Sequence, residues 1–489
     1  MLTGVNLLLR AVGTSFQVYL SRLIGAAGIG LLQLVMSVGN LAMVAGIAGI
    51  RTATMYLTAE ELGKKRPQNV RNILSACYLY SILCSCAVGA ILYFGAPLLA
   101  EHWIGNRQTI PALKIFAAFL PAVCLSGVMS GYFTAANRIG TLALVEVAEQ
   151  LCSMVVTMLA LLLWAGQDPE RSCISVVLGG CVSACVTLVL LVWLRLRERP
   201  GHGCAIPVRH RLLQAALPLA GADVVRSGIS TAENLLVPKR LALCPGVTDP
   251  LSAFGRISGM VFPVMMFPAC ILYALAELLI PELARCRAAG QEKRISYLVR
   301  RGLWAAMLYG VFFSGLLFLF ARPLCRSLYR NETAGESLRL YALMVPFLYC
   351  DAITDAMTKG LGQQKICVRY NILTSAMDVA LLTLLLPVFG MKGYFFSFLI
   401  THLLNFFLSL RRLCIITGYR IPFAVPALTV SAGLLAAWAG ELLGLGWLFI
   451  PLFFLLLHLL GVFGAEEIRW LRQLIFRPAV NPRLTGDAG

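Results

Sequence analysis

The residues most able to do chemistry lie inside an apolar segment. Residues 211–240, RLLQAALPLAGADVVRSGISTAENLLVPKR, have basic residues at both ends and Asp223, Arg226, Ser230 and Glu233 within. At about 100° per residue, these four fall within roughly 80° of one another on a helix. One face therefore carries ions and hydroxyls, while Leu217, Val224, Val225 and Leu236 give apolar cover elsewhere. Ionisable groups at membrane depth are expensive, and they face a bundle interior or a watery cavity. Two readings follow. Asp223 and Arg226 form a self-satisfied pair that glues helices together, or, with Glu233 as a third charge on the stripe, the face lines a solute pathway.

Two earlier segments carry comparable stripes. Asn6, Arg10, Gly13, Thr14, Gln17 and Ser21 lie within about 100° of arc, and Gln33, Ser37, Asn40 and Arg51 within roughly 60°. Arg10, Arg51 and Arg226 together make a candidate cationic cavity, with Gln17, Asn40 and Glu233 as further substrate-binding candidates. Arginine stays charged, and its planar fork binds oxyanions in bidentate fashion, which suits a phosphate ligand. The competing readings are that Arg10 snorkels to the inner surface and that Arg51 pairs with Glu60 or Glu61. Glu146 and Glu149, three apart, read either as a functional pair or as a solvated helix end. Asp355 and Lys359 read as an internal ion pair, with Asp351 on the same face.

These segments must be positioned by a membrane-embedded frame. The chain has 489 residues, 59% hydrophobic and 13% charged, against about 25% charged for a soluble domain. Apolar runs of about 20 residues mark fourteen spans. They lie near 4–24, 28–57, 72–98, 110–134, 141–165, 172–194, 212–237, 251–282, 302–321, 338–358, 368–388, 393–413, 422–442 and 445–464. No loop is long enough for a soluble domain, which argues against a glycosyltransferase. The first segment reads as a retained span rather than a signal peptide. The tail from Glu466 reads as a short amphipathic helix on the membrane surface.

A net charge of +18 does not indicate nucleic acid here, because the basic residues are spread through short loops. That pattern belongs to cytoplasmic loops beside anionic phospholipids. With both termini inside, the inner segments hold more than twice the Lys and Arg of the outer ones. The 16 cysteines sit mostly in apolar runs, no CxxC occurs, and the five histidines are scattered, so a metal centre built on them is not expected. Cys173, Cys244 and Cys325 leave one disulfide open.

The chain also repeats. Leu120-Pro121 and Val345-Pro346 lie 225 residues apart, as do Gly30 and Gly255. Six spans, six similar spans and two extra describe a duplicated transporter, with the relating axis along the membrane normal. The expected division is an N-lobe at 1–200, a C-lobe at 201–420 and the last two spans with the tail at 421–489. Pro263 and Pro268 are expected to kink the eighth span, and Pro121 and Pro346 to bend theirs.

The segments AAGIGLLQLVMSVGNLAMVAGIAGIRTATMYLTAEELGKK (26–65), SGYFTAANRIGTLALVEVAEQL (130–151), STAENLLVPKRL (230–241) and LAELLIPELARCRAAGQEKRI (275–295) carry a family resemblance. In this order they resemble the multidrug/oligosaccharidyl-lipid/polysaccharide flippase superfamily, in its stage V sporulation protein B and polysaccharide-biosynthesis branch. Two departures are a short N-terminus without a basic leader and the turn TAANRIG, which relatives make richer in Gly and Pro. The resemblance implies an all-α bundle with a cavity lined by the first, second, seventh and eighth spans. It also implies a lipid-linked saccharide as substrate, peptidoglycan precursor or other envelope unit, carried outward in the bacterial cell membrane by a monomer. A sporulation role and, as alternative, a cation-coupled multidrug exporter come with the same fold.

If the second lobe folds as in such relatives, Asp378 with Thr374 one turn before it meets Ser397 and Thr401, themselves four apart, and Asp223. Two carboxylates with hydroxyls make a hard-oxygen cluster suited to Na⁺ or a transferable proton. No other cofactor is expected. The alternative leaves Asp223 spent on Arg226 and Asp378 protonated and bonded to Thr374.

Overall fold

The computed structural model describes residues 2–64, 66, 69–165, 168–197, 208–419, 422 and 424–464. Among them every regular element is helical. Helix α1 (Leu2–Ile47) is two helices joined at Gly25, where φ 78° and ψ 177° interrupt the ladder. Glycine adopts that positive φ without a Cβ clash. The break falls between the expected spans 4–24 and 28–57. A second interruption at Ala48 and Gly49, φ 43° and 73°, leads into α2 (Ile50–Gly63).

The chain continues through α3 (Val70–Leu98), α4 (Ile110–Ala135), α5 (Ile139–Ala160), α6 (Pro169–Leu196) and α7 (Val208–Leu241). The expected kink in the eighth span is present. Helix α8 (Pro250–Gly255), a π-helical turn at Arg256–Val261 and α9 (Phe262–Met266) meet α10 (Ala269–Ala288) at a 62° bend. Pro268 sits at the bend, where it lacks an N–H and its ring crowds the preceding turn. Helices α11 (Glu292–Tyr329), α12 (Glu332–Ala342) and α13 (Val345–Gly360) follow, with a 56° bend between the last two, just before Pro346. Pro121, by contrast, lies within an unbroken α4. The described chain ends with α14 (Gln364–Phe389), α15 (Met391–Thr417), α16 (Ala424–Leu442) and α17 (Phe449–Leu459).

Among the described residues nine helices are long and apolar enough to cross a membrane, or eleven when each bent pair counts as one span. The other three of the fourteen expected segments are the second half of the helix broken at Gly25, the ion-bearing α7, and α17, which has only eleven residues. The described cysteines are free thiols, so the open disulfide among Cys173, Cys244 and Cys325 is not formed. The expected tail helix lies outside the described residues.

Two compact units divide the chain. The first comprises Met1–Ala274, Cys325–Ser337 and Gln364–Asn405. Its core collects Ile50, Ile73, Cys77, Met129, Phe133, Leu191 and Leu212, all buried, from α2, α3, α4, α6 and α7. Where α1 crosses α8 the backbones touch. A Cβ added at Gly30 would sit 2.5 Å from the Leu251 carbonyl oxygen, and one added at Gly255 would overlap the Ala26 carbonyl oxygen. Gly30 and Gly255, repeat mates in the sequence, thus pack against each other. In the second unit, Leu275–Leu324, Leu338–Gln363 and Phe406–Gly489, Val311 packs with Ala432, Phe449 and Phe453.

Candidate functional site

Within the first unit, two carboxylates from distant parts of the chain come together. Glu233 of α7 and Asp378 of α14 lie within electrostatic range of each other. The Asp378 carboxylate accepts hydrogen bonds at one oxygen from Ser397 (2.6 Å) and Thr401 (3.3 Å) of α15. A spacing of four puts both hydroxyls on one face of α15, one turn apart. Ser375 stands beside Glu233, and buried Tyr394 is in electrostatic range of both carboxylates. Among the described residues neither carboxylate pairs with Lys or Arg. The cluster therefore offers two carboxyl groups and several hydroxyl oxygens, with no Lys or Arg partner among the described residues.

This differs from the expected set Asp223, Thr374, Asp378 and Thr401 in two members. Asp223 is exposed, and Glu233 holds the place expected for it. The two share a face of α7, but ten residues separate them by about 15 Å along the axis, and only the lower level reaches Asp378. Thr374 is buried, yet its hydroxyl donates to the Tyr370 and Asn371 carbonyls at 3.0 and 3.1 Å, turned back onto its own helix. It therefore makes no bond to Asp378.

The arginines and their neighbours are distributed as follows. Arg226 is exposed on α7, and among the described residues no ion pair joins it to Asp223, so the self-satisfied pair is not formed. Arg51 is exposed at the start of α2, in electrostatic range of Glu149 on α5, while Gly131 of α4 packs against its backbone carbonyl. Gln17 is half-buried and Asn40 exposed on α1; the side chain of Arg10 lies outside the described residues. The polar stripes of α1 and α7 do meet: Asn234 donates to the Ser37 hydroxyl at 3.0 Å and Thr231 to the Ser37 carbonyl at 3.1 Å.

Glu60 and Glu61 do not pair with Arg51. Arg211, at the start of α7, bridges to both, at 2.7 Å to Glu60 and 3.2 Å to Glu61. Lys64 adds a contact to Glu60 at 2.5 Å, and Asn69 donates to Glu61 at 2.9 Å. The two carboxylates hold the Arg211 guanidinium even more firmly protonated than usual. The Asp355–Lys359 pair, in the second unit, forms as expected at 2.6 Å.

Sequence reasoning missed Tyr394, Ser375 and Arg211. Tyr394 was within reach: it precedes Ser397 by three and Thr401 by seven, the spacing of one helix face. Arg211 was not, because its partners lie some 150 residues away.

The chain matches the family of polysaccharide biosynthesis proteins over residues 1–216 and the MatE family over residues 247–385. It is 21% identical over 410 residues to stage V sporulation protein B of Bacillus subtilis (strain 168), covering 80% of this chain and 78% of that protein. Among solved structures, the lipid II flippase MurJ in an inward closed conformation shares the fold with a TM-score of 0.73 at 13% identity, over 96% of this chain and 99% of that one. A multidrug resistance MATE family transporter in an inward-facing conformation superposes with a TM-score of 0.69 at 13% identity, over 85% of this chain and 98% of that one.

Proposed function

We propose that this chain, which belongs to the multidrug/oligosaccharidyl-lipid/polysaccharide flippase superfamily, carries a polyprenyl-pyrophosphate-linked saccharide from the cytoplasmic to the outer leaflet by alternating access. It is a multi-pass membrane transporter, not an enzyme. One observation carries the choice of a lipid-linked cargo. In the second unit, α11, α13 and α16 border a groove of about 280 Å³, lined mostly by apolar side chains, among them Val311, Phe318, Phe347, Val430 and Trp438, a surface suited to hydrocarbon such as an isoprenoid chain. The match to polysaccharide biosynthesis proteins supports the same class of cargo. A sporulation role rests on the relative's name alone.

The arginines Arg10, Arg51 and Arg226 are the residues we assign to the pyrophosphate. Their forked guanidinium groups suit it better than an ammonium does, so Lys replacements should slow transport and Ala replacements should slow it further. We assign coupling to Glu233 and Asp378 with Ser397 and Thr401. This donor set, all hard oxygen, fits Na⁺ or a shared proton. Such an ion would offset one of the two negative charges; the protein's own part is to hold Glu233 in electrostatic range of Asp378, with the Ser397 and Thr401 hydroxyls donating to Asp378.

The second reading, a cation-coupled multidrug exporter, is favoured by the MatE match at residues 247–385. Proteoliposomes decide between them. A fluorescent lipid-linked precursor should become accessible in the outer leaflet with time, faster than in protein-free vesicles. Export of an amphiphilic cation without lipid movement would reverse the ranking.

A further inference from the structure

The end of the first unit where α3 begins and α6 ends has a second feature. There α3 and α6 part to leave a cleft of about 460 Å³. Arg71, Ser75 and Tyr78 of α3 and Arg195 of α6 form its polar wall, and Leu74, Val192 and Leu196 the rest. Among the described residues no carboxylate lines it. The Glu60 and Glu61 carboxylates of the same unit are spent on Arg211 and Lys64.

The two guanidinium groups differ in freedom. Arg195 is set in place, 4.7 Å over the Tyr132 ring of α4, whereas Arg71 is exposed. The level of the cleft is marked by its neighbours on α6. Trp193 is 47% exposed, and the Arg197 guanidinium lies 3.6 Å over its ring. A tryptophan capped by arginine at a helix end belongs at the headgroup layer. Leu196 and Val189, 76% and 66% exposed, continue from there as a surface for acyl chains.

Two guanidinium groups at headgroup depth, beside an exposed apolar helix face, are complementary to a phosphodiester that carries hydrocarbon chains; the Ser75 hydroxyl is turned back onto the Asn72 carbonyl of its own helix at 2.9 Å. We infer that this cleft binds the headgroup phosphate of an anionic bilayer phospholipid as a resident ligand. The lipid sits on the flank formed by α3 and α6, separate from the stripes on α1 and α7 assigned to cargo. A free phosphate ion shares the headgroup's charge but not its chains, so the two sources are separable.

The test is native mass spectrometry of the full chain in detergent, titrated with dioleoyl phosphatidylglycerol or dioleoyl phosphatidylcholine. The wild type should retain phosphatidylglycerol in preference to phosphatidylcholine. Arg71→Gln should weaken retention about five-fold and the double variant Arg71→Gln/Arg195→Gln about 25-fold, at the usual strength of one basic side chain per anionic lipid. Arg71→Lys should retain most of the binding. Because Arg195 also packs on Tyr132, the single Arg71 variants keep the test decisive if the double variant does not fold. Equal retention of both lipids, or unchanged affinity in Arg71→Gln, overturns the assignment. Displacement of the lipid by millimolar inorganic phosphate makes the cleft an ion site and overturns it equally.

Discussion

Two carboxylate pairs in the first compact unit are built from the same groups to opposite effect. Glu60 and Glu61 face Arg211 and Lys64, with Asn69 completing the shell, so two negative charges meet two positive ones. Among the described residues, Glu233 and Asp378 have Ser375, Ser397, Thr401 and Tyr394 about them and no Lys or Arg. The first arrangement is complete as it stands and ties α2 to the start of α7. With both groups ionised, the second would hold an excess of negative charge in a low-dielectric place, tolerable only when a mobile cation or proton shares it. The balance of charge, not the presence of acids, separates a structural knot from a candidate coupling site.

Four experiments break or sharpen that contrast. The largest effect should come from Asp378→Asn, which removes the hydrogen-bonded centre of the second pair. Gradient-driven transport in proteoliposomes should fall to the protein-free background while labelled precursor still binds; a normal rate with an intact gradient response would remove coupling from this site. Next, Arg211→Ala leaves Glu61, whose side chain is 3% exposed, without its guanidinium. Thermal unfolding in detergent should show a loss of roughly 2–3 kcal/mol, below the full buried-pair value because Arg211 and Glu60 are partly exposed. No loss of stability would mean the knot holds nothing.

Neutralising the other pair should act in the opposite direction. Glu233→Gln relieves like-charge repulsion and should raise stability in Na⁺-free buffer by on the order of 1 kcal/mol. It should also abolish the Na⁺- or pH-dependent rise in melting temperature that ligand linkage gives the wild type. A destabilised variant that kept this rise would contradict the reading. The smallest effect is expected for Ser397→Ala, which deletes one of two hydrogen bonds to Asp378 at a cost of about 1 kcal/mol, read as a several-fold weaker ion dependence.

Much of this was legible in the chain, and the exceptions share a cause. Helical spacing put Ser397 and Thr401 on one face of α15, because residues four apart share a face wherever the helix goes; their meeting with Asp378 was what the family resemblance implied. The prolines before and at residue 268 located a bend because their chemistry acts on the backbone at once. What spacing does not supply is the axial level at which one helix meets another. Asp223 and Glu233 lie about 80° apart on the same side of α7, and packing against α14 at one level distinguishes them. The same gap hid Arg211 from Glu60 and Glu61, so that Arg51, nearer in sequence, stood as their expected partner. In the structure Arg51 is only in electrostatic range of Glu149.

The contact between Gly30 and Gly255 has a mechanical side. With backbone against backbone, neither helix has side chains there that can compress or change rotamer, so approach is blocked and tilting is the motion left. The point then works as a fulcrum with α1 as its lever arm. From Gly30 to the end of α1 is about 25 Å at 1.5 Å per residue, so a tilt of about 10° would swing that end by roughly 4 Å. Motion too small to disturb packing at the pivot is thereby magnified into an opening of atomic width at the far end.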